Sequence, residues 1–86
     1  MRFIHPKAYL TSKRNVRKGL ISRTKIIQSL EGGDKGLHQI SKESTLTNFC
    51  IRYHLKVLIK EEIVKRTHHT RPFRYKLTGK GQQKLL

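Results

Sequence analysis

Residues 46–86 leave this chain few folds to choose from. The run LTNFCIRYHLKVLIKEEIVKR passes directly into a basic loop, THHTRP, and then into FRYKLTGKGQQKLL. At about 100° per residue, Ile51, Leu55 and Leu58 fall within roughly 60° of one another, and Ile59 widens the stripe. Thr47 can cap the first turn through its hydroxyl oxygen. The spacing predicts an amphipathic helix over 47–61. Strand-like segments follow at 63–67 and 73–77. In the second, Phe73, Tyr75 and Leu77 alternate with Arg74 and Lys76, the period of a half-buried strand. Pro72 stands at the strand entrance, where a missing amide donor is tolerated. Thr78 then reads as the cap of a final short helix ending in Leu85 and Leu86.

Upstream, Ser22 can cap a first helix whose stripe is Ile26, Ile27 and Leu30, stopped by Gly32-Gly33. The segment EGGDKG is a glycine-rich turn without the length or the Lys-Ser/Thr ending of a phosphate-cradling loop. A short second helix is expected at 37–43, with Leu37 and Ile40 facing inward. Residues 1–19 carry Arg2, Lys7, Lys13, Arg14, Arg17 and Lys18 and no acid, and their apolar positions hold neither period for long. They read as a flexible basic arm, with one helical turn after Pro6. The domain boundary is therefore expected at residue 20, with 20–86 as the folded unit. Its core is expected from Ile26, Ile27, Leu30, Leu37, Ile40, Leu46, Ile51, Leu55 and Leu58.

The chain has 86 residues, 20 Lys+Arg and 5 Asp+Glu, for a formal net charge of +15. A balance so basic favours phosphate-rich partners, nucleic acid or anionic lipid. No stretch approaches the roughly 20 apolar residues that cross a bilayer. Proline and lysine interrupt MRFIHPK before a signal-peptide core can form, so a soluble cytoplasmic protein is expected. The basic arm makes no sustained amphipathic face for a membrane surface.

The polar side of the 47–61 helix is where charge becomes geometry. Phe49, Arg52, Tyr53, Lys56 and Lys60 spread over about 100° opposite the apolar stripe, and Asn48 lies in the first turn. Against nucleic acid, the rings can contact thymine methyls, sugars or phosphates; Arg52 can pair with guanine and Asn48 with adenine. The loop 68–72 is short, basic and free of acid, and Arg71 can enter a minor groove or bind phosphate.

The ordered set Leu37-x-x-Ile40, Leu46-Thr47, Tyr53-His54-Leu55-x-x-Leu58, Ile63-Val64-Lys65-Arg66 and Tyr75-x-Leu77-Thr78-x-x-Gly81 resembles the winged helix-turn-helix pattern of small bacterial and archaeal transcription regulators. The resemblance covers residues 22–86. It implies an α+β fold: a three-helix core, a two-stranded wing and a short C-terminal helix. It further implies double-stranded DNA as partner, with the 47–61 helix in the major groove and the 68–72 wing on the minor groove or backbone. Its base-reading positions fall on Asn48, Phe49, Arg52, Tyr53 and Lys56, and its wing contact on Arg71. Lys60, His69, Arg74, Arg14, Arg17 and Lys18 complete the expected nucleic-acid contacts. Two departures stand out. Thr45 occupies the turn position usually held by Gly, and its branched side chain disfavours a left-handed backbone, predicting a wider turn. Phe49 replaces a small or polar residue.

Other chemistries find less support. Cys50 and His54 stand at i and i+4, with His68 and His69 nearby, but no Cys-x-x-Cys pair accompanies them. No acid is paired with a His or Ser as a nucleophile would need, so no enzyme, metal or cofactor is expected. RNA stays open as a partner, through a structural ribonucleoprotein role. So does a sequence-independent architectural protein of the nucleoid, for which Phe49 and the excess charge argue. Homodimerisation through the arm, or through Val57 and Ile59, is left undecided by the sequence.

Overall fold

The computed structural model describes residues 3–10, 14–68, 70 and 72–79. After a 3-10 turn at Pro6–Ala8 come α1 (Arg17–Leu30), β1 (Lys35–Gly36), α2 (Leu37–Ser44), α3 (Asn48–Lys60), β2 (Val64–Arg66) and β3 (Arg74–Leu77). The stripes read from the sequence meet in one core. Ile26, Ile27, Leu30, Ile40, Ile51, Leu55 and Leu58 are buried there, with Leu37 and Leu46 partly buried against them. Each full burial of such a side chain contributes about 1.5–3 kcal/mol. The helices and the hairpin make a winged helix-turn-helix.

Two helix boundaries show how local chemistry sets the frame. Thr47 caps α3 as expected, its hydroxyl oxygen accepting from the Cys50 amide at 3.2 Å. At the other end, Glu62 adopts φ 65°. Its amide donates to the Ile59 carbonyl and that of Ile63 to the Leu58 carbonyl, both at 2.9 Å. This is a Schellman ending, with Ile63 and Leu58 buried together and a glutamate where glycine is usual. It turns the chain sharply from α3 into the wing.

The turn between α2 and α3 corrects one expectation. Thr45 takes the left-handed conformation, φ 60° and ψ 20°, rather than widening the turn. Its amide donates to the Ser41 carbonyl at 2.9 Å. The Ser41 hydroxyl donates to the Leu46 carbonyl at 2.9 Å, the Leu46 amide donates to the Ser44 hydroxyl at 3.3 Å, and the Thr45 hydroxyl donates to the Ser44 carbonyl. Side-chain hydroxyls hold the tight turn that glycine would otherwise permit.

The amino-terminal region departs further. Helix α1 starts at Arg17, five residues before the expected Ser22 cap, with Val16 as an N-cap that offers no side chain to the first turn. Leu20, one helical turn before the Thr24 level, joins the core and rewards the extension. Gly19 is tolerated inside the helix because the Arg23 guanidinium lies across it; a Cβ there would sit 2.9 Å from Arg23 Nη1.

Residues 3–10 pack as a strap instead of hanging as an arm. Ala8 and Leu10 are buried in the core. Buried Arg23 donates to the Ala8 carbonyl at 2.6 Å, and Asn15 both accepts from the Leu10 amide at 2.7 Å and donates to its carbonyl at 3.0 Å. His5 caps the Pro6 turn by accepting the Lys7 amide at Nδ1, leaving Nε2 to face Glu31 at 2.7 Å, while the His5 amide donates to Thr24 Oγ1 at 2.9 Å. The helical turn after Pro6 is present, but its role is packing.

The wing has three strands, in order β1-β3-β2, all antiparallel. Two-residue β1 pairs Lys35 with Tyr75 and Gly36 with Arg74, tying the glycine-rich turn to the hairpin. Lys35 fastens that turn from below, donating to the Ser29 carbonyl and pairing with Glu43 at 3.3 Å. At the base of the hairpin, the Thr78 amide donates to the Ile63 carbonyl at 2.9 Å and its hydroxyl to the Glu62 carbonyl. The expected C-terminal helix after Thr78 lies, from residue 80 onward, outside the described residues. Among the described residues no helix is long and apolar enough to cross a membrane.

Candidate nucleic-acid interface

Helix α3 packs Ile51, His54, Leu55, Val57 and Leu58 inward. Its other side carries Asn48, Phe49, Arg52, Tyr53, Lys56 and Lys60, all exposed. Phe49 is 84% exposed and Tyr53 53%, values that set them apart from a folding core. A cleft of about 970 Å³ separates this helix from the hairpin. Asn48, Arg52 and Lys56 form one wall, Arg66, Phe73 and Tyr75 the other, with Leu37 and Leu55 at its base. The sequence-predicted face is thus brought together on one surface, with the wing beside it.

The charge on this surface is left over after internal pairing. Of the five acids, Glu31 faces His5, Asp34 pairs with Arg74 and Glu43 with Lys35. The hydrogen bonds of Ser29 and Gln39, followed by that of Lys35, hold the Glu43 carboxyl down at about 2. Asp34 is likewise lowered, first by its hydrogen bond from Arg74. No described residue forms a side-chain hydrogen bond or ion pair with Asn48, Arg52 or Lys56. Lys65 and Lys76 stand opposite each other across β2 and β3 on the other face of the sheet, away from this cleft, with Lys76 on the side of Glu31 and Asp34. Arg66 lies over the Phe73 ring at 4.6 Å. Arg66 was not expected at the site; the register that turns it toward the cleft is visible only once the strands are paired.

Several expected contacts land elsewhere. Arg74 is half-buried and committed internally: its Nε donates to Asp34 Oδ2 at 3.1 Å and its Nη2 to the Asp34 carbonyl at 2.9 Å. It fastens the wing. Arg17 and Lys18 lie in the first turn of α1 and are exposed, so a helix rather than a free arm carries them; Arg14, also exposed, precedes the helix. His69 and Arg71 lie outside the described residues. Val57 is buried, which removes it from any surface for pairing two copies.

His54 belongs to the body of the protein. It is buried, its Nδ1 finds no hydrogen-bond partner among the described residues, and Tyr53 packs edge-on against it at 5.1 Å. Burial first, and the Arg23 charge second, push its pKa below 6.5. Cys50 is a free, half-buried thiol. Among the described residues no three His, Cys, Asp or Glu side chains gather as metal ligands would.

The same fold occurs in two solved structures. A MarR family transcriptional regulator from Silicibacter pomeroyi DSS superposes with a TM-score of 0.67 at 21% identity, over 76% of this chain and 44% of that one. Diamide-treated YodB from B. subtilis gives 0.66 at 28% identity, over 73% of this chain and 66% of that one. The chain thus spans less than half of the first structure and just under two thirds of the second. No family model matches the sequence, and no curated protein sequence matches it.

Proposed function

We propose that the chain is a regulator of transcription that binds double-stranded DNA, acting by binding rather than by catalysis. The observation that carries this reading is the α3 face, on which Arg52, Lys56 and Lys60 stand exposed beside two uncovered rings. A helix about 10–12 Å across suits a major groove about 12 Å wide. In that pose Arg52 pairs with guanine and Asn48 with adenine, while Lys56 and Lys60 bind phosphates. The wing follows the adjacent minor groove or backbone through Arg71 and His69, with Arg66 lining the cleft between β2 and α3. Arg14, Arg17 and Lys18 add backbone contacts at the margin. The transcriptional-regulator neighbour supports the reading, as does the pairing of Glu31, Asp34 and Glu43 within the fold. In the cell this reading puts the protein on the nucleoid.

Selection from a random duplex pool tests it, followed by titration of the recovered duplex. A short motif is expected. With roughly six to ten phosphate contacts, affinity falls about 10³- to 10⁵-fold between 50 and 200 mM salt. A structured RNA of equal length should compete poorly. Affinity that barely responds to salt, or RNA that wins the competition, would overturn the reading.

A further inference from the structure

We infer that Phe49 reads the C5-methyl group of a thymine in the major groove, so that the α3 surface selects duplexes carrying thymine at that position. The inference rests on the duplex-binding reading above and gives it a specific chemical target.

Phe49 is the most exposed large apolar side chain among the described residues, at 84%. It does not pack against the core. Its position is also particular. It is the second residue of α3, directly after Asn48. In a helix-turn-helix the first turn of the recognition helix is the part that reaches base edges. On a wheel of about 100° per residue, Phe49 falls between Lys56 and Lys60, inside the arc bounded by Asn48 and Tyr53. Lys56 and Lys60 share this angular sector about 10 and 16 Å further along the axis, so the ring stands at the leading end of a cationic face.

The two rings of this face are not equivalent. Tyr53 leans on the protein, edge-on to His54. Phe49 has no such ring contact among the described residues and offers neither donor nor acceptor, so it cannot read the hydrogen-bonding pattern of any base pair. The apolar feature that the major groove presents is the thymine methyl. Insertion between base steps is the other known use of such a ring, but it belongs to wedges working from the minor groove. Phe49 sits on the helix proposed for the major groove.

The test replaces each thymine of the selected duplex in turn by deoxyuridine, which deletes the methyl and keeps every hydrogen bond. Wild-type protein should lose about fourfold in affinity at one or two positions, the weight of one methyl returned to water. Phe49→Ala should bind the thymine duplex correspondingly more weakly and become indifferent to the exchange at those positions. Phe49→Leu should keep the sensitivity. Thermal melting should not change, because the side chain is exposed. Tight duplex binding that is indifferent to the exchange at every position overturns the inference and leaves duplex recognition standing. Undiminished sensitivity in Phe49→Ala, or a selected motif without thymine, overturns it as well. Failure to bind any duplex removes both readings.

Discussion

Thr45 offers a sharp test of how the helix-turn-helix corner is held. A left-handed residue with a side chain costs about 1–2 kcal/mol relative to its right-handed form, from the contact between Cβ and the following carbonyl oxygen. Thr45 meets that condition at φ 60° and ψ 20°, and its side chain is exposed. Glycine removes the clash but adds about 0.4–1 kcal/mol of unfolded-state freedom. Alanine at the same site keeps the clash. Both substitutions delete the Thr45 hydroxyl and its bond to the Ser44 carbonyl. Their difference therefore isolates the backbone. Thr45→Gly should be more stable than Thr45→Ala by about 0.5–1 kcal/mol, or about 3–6 °C in melting temperature for a domain of this size. The measurement is thermal and denaturant unfolding of both variants under one buffer. Equal stabilities, or a more stable alanine variant, would mean that the residue does not occupy the left-handed region in solution.

Two further perturbations probe the body of the fold. Leu10→Ala should cost about 2 kcal/mol, since the strap buries this side chain in the core; a free arm would show less than about 0.5 in chemical unfolding. The buried His54 sets a pH dependence whose sign follows from its lowered pKa. The unfolded chain, with its imidazole near 6.5, binds the proton more readily than the folded one. Stability is therefore whole above that pH and lost as pH falls below it toward the lower folded value. Melting curves from pH 7.5 down to 5 should decline less steeply for His54→Gln than for wild type; parallel declines would contradict the assignment.

The parts of this fold that were legible in the sequence are those written as periodic patterns. Ile51, Leu55 and Leu58 announce their helix face, Thr47 its start, and Phe73, Tyr75 and Leu77 their strand. The exposed face of α3 followed from the same wheel, which is why Asn48, Phe49, Arg52, Tyr53, Lys56 and Lys60 are found together. What escaped has no period. Strand β1 is two residues long, too short for alternation, and exists because β3 lies beside it. The start of α1 carries cations, a glycine and no capping side chain, so local propensity argued against a helix that packing of Leu20 and the reach of Arg23 sustain. The strap hides its apolar contribution in Ala8 and Leu10, separated by the exposed Tyr9. Thr45 and Glu62 take left-handed conformations without being glycine, each held by its amide donating to a carbonyl already fixed in a helix. Arg74 looked like a free wing cation because its partner, Asp34, is 40 positions away.

A phosphate- and base-contacting role for the outward face of α3 is open to direct measurement. The most direct measurement is the salt dependence of duplex affinity for wild type and Lys56→Ala, a substitution at an exposed side chain without internal partners among the described residues. Binding should weaken across all sequences, and the slope of log affinity against log salt should become shallower by about one unit, with melting unchanged. An unaltered slope and an unaltered affinity would contradict the account.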